Sequence, residues 1–230
     1  MTNKEFVQRI TDVATKYKTL YVLGGIGSPL TAANKTRYIN SYSYNKDRLQ
    51  MIQSASSDTF AFDCVCLIKS ILWGWNGNKS QVYGGAKYAS NGVPDIGADE
   101  MITRCKNVST NFNALTIGEI VWIKGHVGVY IGNGLVVECT PAWKNGVQIT
   151  SCNCTISGYK RRNWTKHGKL PYITYNLESA EDIINELVHG KHKVKINEVT
   201  RAVKALDKVK NHPDLYSLYW ILYKLVNGND

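Results

Sequence analysis

The stretch FAFDCVCLIKSILWGW, Phe60 to Trp75, places an acid and two cysteines directly before a long apolar run. Gly74 closes the run, and its length and composition predict a buried helix that begins near Cys64. A free cysteine is most often a packing residue. In the first turn of a helix, however, the positive end of the helix dipole stabilises a thiolate, so a cysteine there is also a candidate nucleophile.

Only one of the two cysteines can serve the same site. Residues two apart point about 200° apart around a helix, so Cys64 and Cys66 face different ways. We interpret Cys64 as the candidate nucleophile and Cys66 as a small core residue. The position at the helix start predicts that the thiol pKa of Cys64 falls from ~8.5 toward neutrality or below.

A cysteine nucleophile needs a base within hydrogen-bond reach and usually a third group that orients the base. The candidate base is His126, because it opens the predicted strand HVGVYI straight after a Lys-Gly turn, where an imidazole can face a cleft. The other four histidines are expected in loops or in the C-terminal helices. An isolated histidine is more often a structural residue, so the prediction depends on a partner for His126.

That partner is Glu138, twelve residues after His126 at the end of the apolar strand LVVE. A buried carboxylate normally needs a partner. Whether Glu138 and His126 share a face of the sheet depends on the hairpin between them. A three-residue Gly-Asn-Gly loop makes them diagonal neighbours, about 7 to 8 Å apart. The pairs that it predicts are Ile131–Leu135, Val129–Val137 and Gly128–Glu138.

A two-residue Asn-Gly turn in the same hairpin would instead pair Val129 with Glu138. Because side chains alternate along a strand, His126 and Glu138 would then lie on opposite faces. The predicted triad therefore depends on the hairpin register.

Together, FDCVCL and GHVGVYIGNGLVVE resemble the NlpC-type papain-like cell-wall hydrolases. The pattern of that family is Asp-Cys-Ser-Gly-Leu, then His-Val-Gly-Ile-Tyr-hydrophobic-Gly, then a polar residue about twelve positions after the histidine. Upstream, YVLGGIG is similar to the Tyr-Val-Trp-Gly-Gly segment of the family. Three further stretches resemble phage and prophage endolysins: YGGAKYASNGVPDI, VECTPAWKNGVQIT and WTKHGKLPYI. The resemblance covers roughly residues 5 to 175.

The resemblance implies Cys64 as the nucleophile, His126 as the base and Glu138 as the third residue. It places Tyr21 where the family has a tyrosine near the oxyanion, and Asp63 where an acid can meet a substrate amine. The third residue is often histidine in the endopeptidases of the family, whereas glutamate is more like the related CHAP amidases. Both bond specificities therefore stay open.

The predicted elements form an α+β fold. Lys4 to Tyr17 is predicted as an amphipathic helix, and IGEIVWI, HVGVYI and LVVEC as strands. With the resemblance, this predicts a papain-like core in which the nucleophile helix packs on an antiparallel sheet. The expected domains are a catalytic cysteine peptidase or amidase domain, residues 1–175, and a three-helix module, residues 176–230. Through EDIINELVHGK, the module faintly resembles short wall-binding repeats.

The positive charge is unevenly distributed along the chain of 230 residues. Of 28 basic and 18 acidic residues, eight of each lie from Asn176 onward, which leaves 20 basic and 10 acidic residues before it. A positive domain favours polyanionic partners. No basic run or basic helix indicates nucleic-acid binding. The expected partners are the peptidoglycan and anionic polymers of a Gram-positive wall.

Six cysteines are too few for a disulfide scaffold, and their Cys-x-Cys pairs lack the spacing of zinc sites, so neither a metal nor another cofactor is expected. No window approaches the ~18 apolar residues of a membrane span, and the first 20 residues lack a signal-peptide core. We expect a chain that is synthesised in the host cytoplasm without a signal peptide and acts at the wall after release.

The leading hypothesis is a phage or prophage endolysin that cleaves an amide of the wall peptide through an acyl-enzyme thioester. Three alternatives stay open. The protein could be a non-catalytic wall-binding protein, a cysteine acyltransferase or hydrolase that acts on a non-wall amide or thioester, or a nucleic-acid-binding protein.

Overall fold

The computed structural model describes residues 1–175, apart from the side chain at position 114. The predicted three-helix module and its wall-binding role lie outside the described residues, and the domain division stays a prediction. The described helices are α1 Asn3–Lys16, α2 Ala32–Ser41, α3 Ser43–Lys46, α4 Leu49–Ser54, α5 Cys64–Leu72 and α6 Ala98–Arg104, with a 3₁₀ turn at Phe112–Ala114. The described strands are β1 Thr19–Tyr21, β2 Ile26–Pro29, β3 Phe60–Phe62, β4 Lys106–Ser109, β5 Ile120–Ile123, β6 His126–Gly132, β7 Leu135–Thr140, β8 Gly146–Cys152, β9 Arg161–Arg162 and β10 Lys166–Lys169.

The strands form two sheets. Seven strands make the larger sheet in the order β4-β10-β5-β6-β7-β8-β9, antiparallel throughout except for the last pair. The smaller sheet has the order β1-β3-β2, with β3 parallel to β1 and antiparallel to β2. This arrangement of helices and largely antiparallel sheets confirms the predicted α+β class.

Helix α5 and helix α1 pack on the larger sheet and form the main core. All nine residues of α5 are buried, and the apolar residues of the sheet that pack in the same core include Val127, Val137 and Cys139. Helix α1 contributes Phe6 and Ile10, both fully buried, each worth roughly 1.5–3 kcal/mol of burial. The predicted helix over Lys4 to Tyr17 is confirmed to within one residue at each end.

The nucleophile helix begins as the sequence predicts. Asp63 is its N-cap, with an extended backbone, and its carboxylate accepts a hydrogen bond from the backbone N–H of Cys66 at 2.7 Å. The first helical residue is therefore Cys64. At the other end the chain leaves the helix through Gly74, whose φ of +91° is a conformation that glycine adopts without steric cost.

The β6–β7 hairpin combines features of the two predicted alternatives. Its turn is the two-residue Asn133-Gly134, both with positive φ, as in a type I′ turn. Strand β6 also has a bulge at Ile131, because Tyr130 pairs with Val136 but Gly132 pairs with Leu135.

The bulge shifts the register by one residue and restores the pairing that the triad requires. Gly128 lies opposite Glu138 and Val129 opposite Val137, as predicted for the longer loop. The predicted pairing of Ile131 with Leu135 is wrong, since Ile131 is the extra residue of the bulge.

Three helices between β2 and β3 have no counterpart among the sequence predictions. Helices α2, α3 and α4 cover the small sheet, where Tyr38 and Ile52 pack on Leu30 and Ala61 in a second buried cluster. This layer also contacts β1, because Arg48 donates a hydrogen bond to the backbone oxygen of Tyr21 at 3.1 Å.

Candidate active site

Cys64 is almost completely buried at the start of α5, with 7% of its surface exposed. Backbone N–H groups of Val127, Val65 and Cys64 itself favour a thiolate there. Burial disfavours the thiolate and is the larger effect, and the negative charge of Asp63 disfavours it further. Together they raise the pKa of Cys64 to about 12. The predicted lowering of this pKa is wrong for the resting thiol.

His126 and Glu138 form a direct hydrogen bond. Nε2 of His126 lies 2.7 Å from Oε2 of Glu138, and the carboxylate is fully buried while the imidazole is 14% exposed. The predicted diagonal placement across the hairpin therefore brings the two side chains together. An ionised Glu138 accepts a hydrogen bond from the N–H at Nε2, which leaves Nδ1 as the basic nitrogen of the ring.

Glu138 is held ionised by more than the histidine. Nε of Arg162 lies 2.9 Å from Oε1 and 2.7 Å from Oε2, and the hydroxyl of Thr150 donates to Oε1 at 2.6 Å. Burial opposes ionisation of Glu138, but the hydrogen bonds from His126 and Arg162 outweigh it and hold its pKa below the ordinary value. The carboxylate therefore stays charged although it is fully buried.

Two tryptophans complete this network. The ring of Trp164 stacks on His126 with centroids 5.5 Å apart and planes 10° from parallel. The guanidinium of Arg162 lies 4.8 Å from the ring centroid of Trp143 and 5.7 Å from that of Trp164. Stacking fixes the plane of the imidazole, so these residues orient the base.

Sequence reasoning missed Arg162, Trp164 and Trp143. They follow Glu138 by 5 to 26 positions. Trp143 lies in the turn before β8, and Arg162 and Trp164 lie in and just after β9. No local sequence pattern indicated that these segments come close to Glu138. The one available signal was the buried position of Glu138, which called for a cationic partner as well as a histidine.

Cys64 lies beside the start of strand β6, the strand that carries His126. The backbone N–H of Val127 interacts with the sulfur of Cys64, and His126 is the preceding residue of the strand. Among the described residues no hydrogen bond joins the sulfur to the imidazole, and Nδ1 of His126 has no hydrogen-bond partner. The sulfur of Cys64 therefore lies next to the residue that follows His126 in β6, and Nδ1 of His126 is free to take a proton.

Tyr21 and Asp63 both lie close to Cys64. Burial raises the pKa of Tyr21, and the nearby Cys64 and Asp63 add to the effect, so its hydroxyl stays a neutral donor. Both oxygens of Asp63 accept backbone N–H bonds, from Cys66 at 2.7 Å and from Gly24 at 2.8 Å. Asp63 thus caps the nucleophile helix, and its contact with a substrate amine stays a prediction, as does the role of Tyr21 near the oxyanion.

A second buried histidine pairs with a carboxylate elsewhere in the sheet. His167 lies in strand β10 rather than in a loop, which corrects the expectation from sequence. Its Nδ1 bonds to Glu119, and its Nε2 lies 3.0 Å from the backbone oxygen of Asn111. Because both ring nitrogens are occupied and the residue is 3% exposed, His167 is structural.

Residues 1–175 contain no group of three or more His, Cys, Asp or Glu side chains that could hold a metal ion. All six cysteines are free. Within the same residues no helix combines the length and the apolar character that crossing a membrane requires.

Comparison with known proteins gives weak structural similarity and no match in sequence. No family model matches the sequence, and neither does any curated protein. Among solved structures, the chain is similar to the P60 domain of an antigen from M. avium subspecies paratuberculosis, with 15% identity and a TM-score of 0.39. The similarity covers 75% of this chain and 96% of that domain. A TM-score this low does not assign the chain to a family.

Proposed function

We propose that this protein is a peptidoglycan hydrolase that cleaves an amide bond of the wall peptide with Cys64 as its nucleophile. The observation that carries the proposal is the bond between His126 and the buried, ionised Glu138, formed on the strand that touches Cys64. The resemblance of the cysteine and histidine segments to the NlpC-type hydrolases supports the choice of substrate.

The reaction follows from the protonation states. The resting thiol is neutral because its pKa is raised, so the proton must leave as the sulfur attacks. Nδ1 of His126 accepts this proton, and Glu138 stabilises the resulting imidazolium through Nε2. Backbone N–H groups in the first turn of α5 stabilise the oxyanion. The imidazolium then protonates the leaving amine, and water attacks the thioester to release the acid and regenerate the thiol.

The charge of the domain supports a wall substrate. Residues 1–175 carry twice as many basic as acidic residues, which favours an anionic polymer such as a Gram-positive wall. We propose an endolysin of phage or prophage type that acts at the wall after release from the cell in which it is made. Both endopeptidase and amidase activity fit the site, because neither reaction changes what the triad must do.

Digestion of purified Gram-positive cell walls tests the proposal. The expected result is new amino groups, or new free lactyl carboxyls with release of the peptide, without new reducing sugar ends. Mass analysis of the fragments identifies the bond and so separates endopeptidase from amidase. New reducing ends without new amines would contradict the proposal. So would inert walls together with turnover of small acyl thioesters, which would favour the acyltransferase alternative.

A further inference from the structure

A groove runs beside the outer edge of strand β8, and Cys64 is not among the described residues that line it. It has a volume of about 700 Å³, a size that accommodates a short peptide. The turn before β8 forms one wall and the loop before β9 forms the other, while the end of α1 closes one side. Its lining includes Trp143, Lys144, Ile149, Tyr159 and Lys160.

The floor of the groove exposes an unpaired part of a strand. Strand β9 pairs only with Ser151 and the next residue of β8. The N–H of Val147 points outward to Oγ1 of Thr19, and the N–H of Ser151 points outward to the backbone oxygen of Lys160, each at 2.9 Å.

Because backbone groups alternate along a strand, the N–H and C=O of Ile149 point to the same outer edge. In the described part of the chain, neither group bonds to another residue at this edge. The groove therefore offers one free peptide donor and one free peptide acceptor.

The walls combine aromatic and cationic side chains. Trp143 is 45% exposed and Tyr159 is 39% exposed. Lys144 and Lys160 are exposed, and neither ammonium group has a hydrogen-bond or ion-pair partner among the residues that the structure describes. None of the described residues that line the groove is acidic. A ligand with carboxylates is the chemical complement of these walls.

Trp143 connects the groove to the candidate catalytic network. Its ring packs against the guanidinium of Arg162, which binds Glu138. Trp143 also has a φ of +56°, which is rare for a bulky side chain and concentrates at functional sites. The strained turn holds the aromatic ring at the side of the groove next to the triad.

We propose that the groove binds an extended peptide that carries carboxylate groups. The peptide backbone bonds to the free N–H and C=O of Ile149, as in strand addition, and its carboxylates pair with Lys144 and Lys160. The aromatic rings cover its apolar parts. In a wall this ligand is the stem peptide adjacent to the bond that is cut, an identification that rests on the proposed function.

Binding of a defined probe tests the proposal without cleavage. The full chain carrying Cys64→Ala is titrated with fluorescein-labelled acetyl-Ala-Glu-Ala-Glu-Ala-amide, and anisotropy gives Kd. Replacing both glutamates of the probe by glutamine, or N-methylating its central amides, is expected to weaken binding at least about tenfold. Equal affinity for the N-methylated probe would contradict pairing with the strand edge.

Variants of the groove give the complementary test. The double variant Lys144→Gln/Lys160→Gln is expected to weaken binding of the acidic probe at least about tenfold. The control is Lys46→Gln/Lys79→Gln, which removes the same charge from exposed positions that do not line the groove. Equal weakening in both double variants, or no weakening in either, would overturn the proposal. Competition by a polyol phosphate polymer that equals competition by the unlabelled peptide would do the same.

Probe binding and wall digestion test the groove and the proposed hydrolase activity separately. Walls that stay intact, with the expected probe binding, would reject the hydrolase and keep the peptide groove. Walls that are cut by the wild type, with probe affinity unchanged by the lysine substitutions, would reject the groove and keep the hydrolase.

Discussion

The Nε2 atom of His126 and the Oε2 atom of Glu138 lie 2.7 Å apart across the β6–β7 hairpin. This bond fixes the tautomer of the imidazole and leaves Nδ1 as the base. It depends on a buried carboxylate that Arg162 keeps ionised and on a bulge that brings the two residues to the same face of the sheet.

Glu138→Gln is expected to reduce kcat on the order of 10²- to 10⁴-fold, because a glutamine does not hold the required tautomer or stabilise the imidazolium. The chain offers a matched control in Glu119→Gln, which removes the other buried carboxylate that binds a histidine. Both variants lose a buried charged partner and are expected to lose stability, on the order of 3 kcal/mol. Only the first should lose kcat when both are assayed below their Tm. An equal loss of kcat in both would contradict a catalytic role for Glu138.

Arg162 is a positioning residue that acts through Glu138. The hydrogen bonds of His126 and Arg162 hold the pKa of Glu138 down, so Arg162→Gln is expected to raise that pKa. Activity requires the ionised carboxylate, so the acid limb of the profile of kcat/KM against pH should move to higher pH. Arg162→Lys should restore part of the shift. A variant that loses activity equally at every pH would indicate a purely structural role for Arg162.

The burial of Cys64 predicts slow alkylation. With the thiol pKa raised to about 12, its reaction with iodoacetamide should accelerate about tenfold per pH unit between pH 7 and 10 without a plateau. Exposed Cys154 in the same sample serves as the reference thiol, and peptide mapping distinguishes the two. Cys64 is expected to react more slowly than Cys154 at pH 8. A plateau for Cys64 below pH 8 would indicate a thiolate–imidazolium pair in the resting protein.

The bulge at Ile131 takes up the one residue by which β6 exceeds β7 in this hairpin. Deleting Ile131 removes that extra residue and leaves a regular hairpin in which Gly128 still lies opposite Glu138, so activity is expected to be retained. Ile131→Ala keeps the residue count and is the control that should retain the register. Far-UV circular dichroism verifies that both variants fold. Loss of wall digestion by the folded deletion variant, with the control still active, would contradict the role of the register.

Local patterns in the sequence predicted the nucleophile helix and the strands that carry His126 and Glu138. Apolar periodicity located the helix, and the acid before it proved to be its N-cap. The pairing of Gly128 with Glu138 was predicted correctly, but the turn that produces it was not. A Gly-Asn-Gly sequence allows both a three-residue loop and an Asn-Gly turn with a bulge.

The same local patterns could not predict which distant residues contact His126 and Glu138. Arg162 reaches Glu138 from a strand 24 residues away, and Trp164 stacks on His126 from 38 residues away. The pKa of Cys64 depends on how much water the surrounding core excludes, and that exclusion outweighs the effect of the helix start. A helix start can be predicted from sequence, whereas the burial of one sulfur depends on the whole packed core.

The central claim is tested most directly by the rates at which Cys64→Ala and Cys66→Ala digest purified cell walls. Both variants remove one buried sulfur from the same helix, so both lose similar packing. Cys64→Ala is expected to lose on the order of 10³-fold or more in rate, and Cys66→Ala to keep most of it. A Cys64→Ala protein as active as Cys66→Ala would contradict the account.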